Sequence, residues 1–575
     1  MQCGVSYTPK RDLLKTDHRK LKPKYMRRLS CFLCLLFCTL ASWAQETENF
    51  GANHNKPERE EWLKDVGFGM FIHWNVDTQL GVVISHSLVG ASPDYVDRYI
   101  KELPQTFDPK QWDAEKIVML AKNAGMKYIM FTTKHHAGFC MWDTKTTDFN
   151  VMNTPYKKDI VRQFVEACRK WKIAVGFYYS PEDFSFAYRN GMKDITRDDH
   201  WEKAKPFQAQ YKKFVVEQTK ELMTKYGPVD LFFIDSDVLK EEVKETIWKY
   251  QPNCLVTRGA LPTPEQYLPG ETLGTAWESC MTMGTAWNYK PTNEHYKSGT
   301  ELLNILIESR AKGGSYLLNV GPTQWGNLNE GQEGRLMEIG AWHFINQEAV
   351  HNVRPWIVRN ENDIWFTKKK DENTVYAYLT GMPEWPRAER REFLIRSVKA
   401  TATTEVTVLG QTGNVVEYKP TVDGRTRFEQ TPEGLKISVV RAQRIYNNHQ
   451  WPNPIVVKLK NVEPALTPMQ FRTVSAEKIS NGNLKLTADV VKMGSGKEYR
   501  IGFEYRPVQS SLNEEFNEKW KATDAYPVTA TGKVTLEMLK QNIQSYDEIE
   551  YRAVLYQDNM RIEGNTQKIS KLTLE

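Results

Sequence analysis

Acidic, basic and aromatic side chains follow several short apolar runs of this sequence, at the point where each run ends. The clearest example is Asp235, which comes directly after the run 229–234 and its opening Gly227-Pro228 pair. A short run of this kind is typical of a parallel strand that is covered on both faces. A carboxylate at the end of such a strand is well placed for catalysis, because the loops at that edge vary over a rigid core. An Asp that only caps a loop is the alternative.

The same arrangement recurs along the chain, and one edge of a sheet would gather all of these side chains. The candidates are His73, Trp74, His135, His136, Tyr178 or Tyr179, and Arg258, followed by Glu265, Trp277 and Glu278 in a long loop. Imidazoles, a guanidinium, indole rings and carboxylates in one pocket suit a sugar, which needs polar partners for its hydroxyls and an aromatic wall for its apolar face. A pair of carboxylates is also the machinery of retaining glycoside hydrolysis. Taken singly, each histidine could be structural, and both tryptophans could belong to the core.

No metal and no cofactor is predicted. Neighbouring residues on a regular strand point to opposite faces, so the adjacent His135 and His136 should not both face one ion. No Gly-rich phosphate loop follows any of the predicted strands. A doubly wound nucleotide-binding sheet, the alternative to a barrel, therefore lacks support.

The elements that position these residues are repeated strand–helix units over 45–350. Such repeats predict an α/β fold, a TIM-like (β/α) barrel in which the parallel strands close or nearly close. After Arg354-Pro355 the pattern changes to alternating residues separated by Gly and Asn turns. We interpret 356–460 as a β-sandwich and 466–575 as a second, small all-β domain that is similar to a fibronectin-III module.

Composition excludes some classes of partner. The chain has 575 residues and a formal charge of +6, but nine of its 77 basic and two of its 71 acidic residues lie in 1–44. The remainder is within one charge of neutral, so neither nucleic acid nor an anionic membrane is the expected partner.

Residues 1–44 have the layout of a leader and signal peptide. Arg27-Arg28 precede the apolar run 29–40, and small residues before Gln45 suit cleavage near Ala44. The run is too short to span a membrane comfortably, so we predict an exported protein without a membrane span, either periplasmic or secreted. Four cysteines remain after the leader, too few and too dispersed for a disulfide scaffold.

Several motifs together resemble the α-L-fucosidases of glycoside hydrolase family 29. The stretches that carry the resemblance are Phe68-Gly-Met-Phe-Ile-His-Trp74, Ala124-Gly-Met-Lys-Tyr128, Lys134-His-His-Ala-Gly-Phe139, Leu231-Phe-Phe-Ile-Asp235, Trp277-Glu-Ser-Cys-Met281 and Leu317-Leu-Asn-Val-Gly-Pro322. The resemblance implies an exo-acting, retaining enzyme with a barrel, a sandwich behind it, and a fucosylated oligosaccharide or glycoconjugate as substrate.

The resemblance also implies residue roles. Asp235 corresponds to the nucleophile, and His73, His135, His136, Arg258 and one of Tyr178 or Tyr179 correspond to fucose contacts. The proton donor is assigned to Glu265, because Thr263-Pro-Glu-Gln266 is similar to the branch that prefers branched glycans. Glu278 is the alternative donor, and its other role is to bind the sugar or to position Trp277.

Four departures from the family pattern leave the identity of the substrate sugar undecided. They are Asn75 after the first motif, Ser85-His-Ser87 where a Glu-Trp pair is usual, Ser236-Asp237 after the nucleophile, and Trp287-Asn-Tyr289. An α-L-galactoside or a substituted fucose is therefore an alternative substrate. A non-catalytic glycan-binding protein on the same barrel is the alternative from another class, and the sequence leaves the oligomeric state open.

Overall fold

The computed structural model describes residues 51–570, apart from 198, 271, 383–384, 387, 414–420, 442–452, 480–481, 508–519, 544–547 and 559. The predicted leader and signal peptide lie outside the described residues.

The first part of the described chain alternates parallel strands and helices. Its helices are α1 Pro57–Val66, α2 Pro93–Lys101, α3 Ala114–Asn123, α4 Ile160–Trp171, α5 Phe184–Arg189, α6 His200–Lys203, α7 Gln208–Lys225, α8 Lys240–Tyr250, α9 Gly299–Ala311 and α10 Glu330–Val350. Its strands are β1 Phe68–Ile72, β2 Tyr128–Lys134, β3 Ala174–Tyr179, β4 Leu231–Ile234, β5 Leu255–Val256, β6 Glu278–Thr282 and β7 Ser315–Val320. They form one sheet in the order β5-β4-β3-β2-β1-β7-β6, in which every pairing is parallel.

An irregular segment fills the gap between the two edge strands of this sheet. The segment 262–266 follows β5 and runs parallel to β6, with Glu265 opposite Cys280. The Glu278 and Cys280 amides donate to the carbonyls of Pro262 and Pro264 at 3.1 Å, and the Gln266 amide donates to the Cys280 carbonyl at 2.9 Å. This closing segment takes the place of an eighth strand, so the prediction of a barrel is confirmed.

Alternate residues of each strand face two different cores. Phe71, Tyr178, Phe233 and Leu317 belong to the cluster inside the barrel. Their neighbours belong to the cluster between the strands and the outer helices, for example Ile72 and Tyr179. Both faces are therefore covered, which is why these strands read as continuous apolar runs in the sequence.

Antiparallel strands follow α10, as predicted. A five-stranded sheet has the order β12-β15-β10-β9-β8, and a three-stranded sheet has the order β11-β14-β13. Their bounds are β8 Val353–Glu361, β9 Ile364–Lys369, β10 Thr374–Leu379, β11 Arg390–Ile395, β12 Val398–Val408, β13 Arg427–Thr431, β14 Gly434–Val440 and β15 Ile455–Pro464. The side chains of the two sheets share one apolar core.

Two further antiparallel sheets complete the chain. The strands are β16 Gln470–Lys478, β17 Leu484–Lys492, β18 Tyr499–Pro507, β19 Lys521–Ala522, β20 Tyr526–Pro527, β21 Gly532–Met538, β22 Glu548–Gln557 and β23 Met560–Ser570. One sheet is β16-β17-β21, and the other is β19-β18-β22-β23 with β20 beside β18. Their apolar side chains continue the core of the preceding sandwich, so the second all-β region is packed against its neighbour.

The last strand also contacts the barrel close to the closing segment. The Lys568 ammonium lies 5.3 Å from the centre of the Tyr267 ring. Gly270 packs against the Gly564 backbone so closely that an added Cβ would lie 1.6 Å from the Gly564 carbonyl oxygen. Lys312, at the end of α9, forms a buried ion pair with Glu563 at 3.4 Å. The C-terminal sheets therefore support the loop that follows Glu265.

Within the described residues, no helix has the length and apolar character needed to cross a bilayer. All four cysteines of that part of the chain, Cys140, Cys168, Cys254 and Cys280, are buried and carry free thiols.

Candidate active site

A cavity opens where the barrel strands end at their carboxyl termini. Its lining consists of Phe71, His73, Ser85, His86, His135, His136, Tyr178, Arg197, Phe233, Asp235, Arg258, Glu265, Cys280 and Trp287. Seven of the ten predicted site residues lie here. Trp74, Trp277 and Glu278 do not.

The two-residue period of the strands explains which side chains reach the cavity. Phe71 and Phe233 face the barrel interior, so His73 and Asp235, two positions later, emerge on the same side above them. Tyr178 also faces inward, whereas Tyr179 points to the outer core and donates to Gln218 at 2.8 Å. Of the two tyrosines left open by the sequence, the structure places Tyr178 in the cavity.

Asp235 is the centre of the polar contacts. The Tyr178 hydroxyl donates to its Oδ2. Arg258 Nη1 lies 3.4 Å from its Oδ1, and His136 Nε2 lies 3.5 Å from its Oδ2. Burial alone would raise the pKa of Asp235, but the positive charge of Arg258 and the Tyr178 hydrogen bond hold it below its ordinary value. The carboxylate is therefore ionised and oriented.

Asp237 does not raise the pKa of Asp235, although the sequence places the two close together. The Asp237 side chain is 94% exposed and pairs with Lys240 at 2.6 Å. It points away from the cavity, three residues past the end of β4 at Ile234.

The second carboxylate of the cavity is Glu265. Its Oε2 accepts a 2.9 Å hydrogen bond from Arg258 Nη1, the same nitrogen that lies beside Asp235. One guanidinium nitrogen therefore holds both carboxylates at one end of the cavity. Asp235 and Glu265 reach it from different elements, β4 and the closing segment.

The three histidines are neutral, because burial lowers their pKa values. Burial is the main cause for each, and it lowers the pKa to about 4 for His73 and for His136 and well below the ordinary value for His135. At neutral pH each imidazole thus has one nitrogen that donates a hydrogen bond and one that accepts.

Neighbouring groups determine which nitrogen of each imidazole carries the proton. The Asn319 amide nitrogen donates to the Trp287 carbonyl at 2.7 Å, so its oxygen accepts from His73 Nδ1, also at 2.7 Å. His135 Nδ1 accepts the His136 amide proton at 2.9 Å. His73 therefore has an acceptor at Nε2, and His135 a donor at Nε2.

His136 is held in the same way. The Ser180 hydroxyl donates to the Glu182 carbonyl at 2.8 Å, so its oxygen accepts from His136 Nδ1 at 2.6 Å. The Nε2 atom of His136 is therefore an acceptor. Two acceptors and one donor from the three imidazoles form a pattern that suits the hydroxyls of one sugar ring.

Aromatic rings form the apolar wall, but not the ones that the sequence suggested. The Trp287 ring centre lies 4.9 Å from that of His73 and 6.2 Å from that of Phe71. Phe233 lies below Arg258, whose guanidinium carbon is 5.5 Å from the ring centre. Trp287 was noted in the sequence only as a departure from a motif.

Trp74 lies in the outer core. It follows Ile72 by two positions and so faces the same side of β1, where it stacks on Trp112 with ring centres 4.8 Å apart. Its indole nitrogen donates to the Thr323 carbonyl at 3.1 Å. Strand alternation, applied to the motif that ends at Trp74, separates His73 from its neighbour and could have shown this.

Trp277 and Glu278 lie at the opposite end of the barrel from the cavity. β6 begins at Glu278, so both residues are at the amino end of that strand, and Cys280 is the first residue of β6 to reach the cavity. The Trp277 indole packs against Gly314, where an added Cβ would be 2.3 Å from the ring. Glu278 accepts from the Tyr128 hydroxyl, and burial raises its pKa to about 7. The expectation that these residues contact the sugar does not agree with their positions.

His135 and His136 both enter the cavity, because β2 ends at Lys134 and the pair lies beyond the regular strand. With Asp235 they bring three possible ligand atoms within 4.8 Å of one another. Both imidazoles can therefore face one ion, contrary to the prediction from strand alternation. Arg258 and Tyr178 already contact the two oxygens of Asp235, however, and a cationic guanidinium opposes a metal ion there.

Two cavity residues that the sequence analysis did not select come from loops. His86 follows β1, and Arg197 follows α5. Beside the cavity, Glu182 approaches His136 Nδ1 at 3.5 Å, and burial together with Asp235 raises its pKa to about 7. These loops have no regular period of apolar residues. The only sequence feature that could have indicated them is Ser85-His-Ser87, which departs from the family pattern.

Comparisons with known proteins agree with this architecture. The family model described as alpha-L-fucosidase matches residues 36–348. An alpha-L-fucosidase of Dictyostelium discoideum is 24% identical over 458 residues, which cover 72% of this chain and 95% of that protein.

Solved structures share the fold. The alpha-L-fucosidase from Vibrio sp. strain EJY3 has a TM-score of 0.62 at 20% identity, covering 88% of this chain and 99% of its own. A GH29 alpha-L-fucosidase from Bacteroides thetaiotaomicron, solved as a trapped covalent intermediate, has a TM-score of 0.56 at 23% identity, covering 72% and 99%. Since the family model matches more than half of the sequence, the chain belongs to the α-L-fucosidase family and is by that membership a glycoside hydrolase.

Proposed function

We propose that this α-L-fucosidase removes a terminal α-L-fucosyl residue in two displacements, with Asp235 as the nucleophile and Glu265 as the acid and base. The observation that carries the assignment is the single Arg258 nitrogen that contacts both carboxylates at the cavity. Retaining enzymes place their two carboxyl groups about 5–5.5 Å apart, and two carboxylates that share one guanidinium nitrogen suit that separation.

In the first displacement, the Asp235 carboxylate attacks the anomeric carbon, and the bond to the leaving oxygen breaks. Glu265 gives its proton to that oxygen, so the aglycone departs as an alcohol. Asp235 suits the nucleophile because its low pKa keeps it ionised. The product of this step is a fucosyl ester on Asp235.

In the second displacement, the Glu265 carboxylate takes a proton from water, which attacks the anomeric carbon and releases Asp235. Two inversions give net retention. Tyr178 and Arg258 stabilise the Asp235 carboxylate as it leaves, because both contact it directly. The solved structure of a trapped covalent intermediate in a relative of the same fold supports this sequence of steps.

The remaining cavity residues would bind the glycone. His73 and His136 offer acceptors and His135 offers a donor, while Trp287 supplies the aromatic wall. Phe71 and Phe233 close the cavity from the barrel interior, so one terminal residue fits and the enzyme acts as an exo-hydrolase on fucosylated oligosaccharides or glycoconjugates.

The test is the stereochemistry of the first product. Proton NMR of an aryl α-L-fucoside digest should show α-L-fucose before mutarotation. Initial formation of β-L-fucose would exclude the double displacement. Binding of fucose without any hydrolysis would instead favour a glycan-binding protein on the same barrel.

We also propose that the protein is exported with cleavage near Ala44, and that it divides into domains at 45–350, 356–460 and 466–575. The support is the charged and apolar layout of 1–44, together with the change from parallel to antiparallel strands after α10. Mass spectrometry of the protein recovered from an expressing host should give Gln45 as the first residue. An N-terminus at Met1 or Met26 would contradict the cleavage.

A further inference from the structure

Two basic side chains, Arg197 and His86, meet at the cavity. Arg197 Nη1 lies 3.0 Å from His86 Nε2, and both residues line the same cavity as Asp235. Ser85 lines the cavity beside them. We refer to Arg197, His86 and Ser85 as the basic rim.

The contact fixes the roles of the two basic groups. A guanidinium only donates, so Nε2 of His86 accepts from Arg197 and its proton lies on Nδ1. His86 is thus neutral, in agreement with the lowering of its pKa by burial and by Arg197. Arg197 supplies one full positive charge with its other donors available, and His86 supplies one further N–H.

Arg197 has no anionic partner among the described residues at ion-pair distance. This contrasts with Arg258, whose charge is shared between Asp235 and Glu265. The buried carboxyl of Glu182 lies in the field of Arg197 without reaching it, and its raised pKa leaves it partly protonated near neutral pH. Arg197 is exposed, so the rim presents beside the sugar site a positive charge that no carboxylate of the described residues contacts directly.

We propose that the basic rim binds an oxyanion of the glycan, a sulfate ester or a carboxylate, so that the preferred substrate is an anionic fucosylated glycan. A planar guanidinium fork matches the oxygens of either group and forms charge-assisted hydrogen bonds with it. An unmodified hydroxyl would offer Arg197 only a neutral acceptor, with which no charge-assisted hydrogen bond forms. This inference rests on the fucosidase function proposed above.

Calorimetry on the full chain tests the proposal without requiring turnover. The probes are L-fucose, its 2-, 3- and 4-O-sulfates, and a fucosyl disaccharide whose second sugar is a uronic acid. At least one anionic probe should bind about 10- to 100-fold more tightly than its neutral counterpart. A sulfated monosaccharide that binds tightly places the anion on fucose, and tight binding of the uronate alone places it on the next sugar.

Variants connect the preference to Arg197. Arg197→Gln should reduce the ratio of the anionic to the neutral binding constant to about one. Arg197→Lys keeps the charge but loses the planar fork, so it should retain part of the preference. Arg500→Gln is the matched control, because Arg500 is an exposed arginine on β18 outside the cavity. It should keep the full ratio.

Equal binding of neutral and anionic probes, or a preference that survives in Arg197→Gln, would overturn the proposal. Hydrolysis of the same compounds separates it from the proposed function. A protein that prefers the anionic probes but cleaves none of them fails as a fucosidase and keeps its basic rim. A protein that cleaves neutral fucosides but binds anionic and neutral probes equally is a fucosidase whose basic rim does not bind an anion.

Discussion

Arg258 donates a 2.9 Å hydrogen bond to Glu265 with the same nitrogen that lies 3.4 Å from Asp235, so the two carboxylates of this cavity share one cation. Arg258 also raises the population of ionised Asp235, because its positive charge is a main cause of the lowered pKa of that residue. The arginine thus links the position of the acid to the charge of the nucleophile.

Replacing Arg258 with Gln should shift the acid limb of the pH dependence of kcat/KM to higher pH. The pKa of Asp235 is held low in the folded enzyme, activity needs its ionised form, and loss of the cation raises that pKa. The value of kcat/KM on an aryl fucoside should also fall by about 10²–10³-fold. Rates from pH 3 to 9 measure both effects, and an acid limb that stays in place would exclude this role.

Glu265→Ala should separate substrates by their leaving groups. An alcohol aglycone needs a proton, so kcat/KM on a fucosyl disaccharide should fall by about 10²–10⁴-fold. A dinitrophenyl aglycone leaves unprotonated, so kcat/KM on that fucoside should fall much less. A stopped assay of the disaccharide and a continuous assay of the dinitrophenyl fucoside give the loss of kcat/KM on each substrate.

Glu278→Ala is the control for this experiment. Glu278 is fully buried at the other end of β6 and should affect both substrates alike, through folding. Should the selective loss appear in Glu278→Ala and not in Glu265→Ala, the two roles exchange.

Trp287→Ala and Trp277→Ala should have different effects. Trp287 lines the cavity beside His73 and packs on Phe71, so its loss should raise KM in addition to lowering Tm. Trp277 is 1% exposed and packs on Gly314, so its loss should cost about 3–5 kcal/mol of stability. Thermal unfolding and kinetics on an aryl fucoside and a branched glycan distinguish them, and an aglycone-selective defect in Trp277→Ala would contradict its position in the structure.

The Glu278 carboxyl should make the protein less stable as pH rises. Its pKa is raised from 4.5 to about 7 in the folded state, so the folded state binds the proton more tightly. The resulting stabilisation is complete below pH 4.5 and is lost as pH rises through 7, by an amount on the order of 3 kcal/mol. Glu278→Gln cannot ionise and should lose less stability between pH 5 and 8. Denaturation at several pH values measures the free energy of unfolding of both proteins, and an equal change with pH in the two would contradict this prediction.

The barrel could be predicted from the sequence because its strands are covered on both faces. Runs such as 229–234 are continuous in apolar residues for that reason, and a polar residue at their end marks the edge where the loops begin. The same logic located Asp235, His73 and Arg258 in one cavity.

The site residues that the sequence placed wrongly or missed lie at strand ends or in loops, where a two-residue period is either easily overlooked or absent. Trp74 follows His73 but faces the outer core, and Glu278 lies at the start of a strand whose bounds the sequence did not reveal. His135 and His136 lie past the end of β2, where alternation no longer separates neighbours. His86 and Arg197 reach the cavity from irregular loops, whose paths depend on tertiary contacts.

The most direct test of the account is the identity of the residue that forms the glycosyl ester. A 2-deoxy-2-fluoro-α-L-fucosyl fluoride should inactivate the enzyme with time, because the fluorine slows release of the ester more than its formation, and peptide mass spectrometry then locates the label. The account predicts one fluorofucosyl group per chain, on Asp235, and no labelling of Asp235→Asn. A label on Glu182 or Glu265, or labelling that persists in Asp235→Asn, would contradict it.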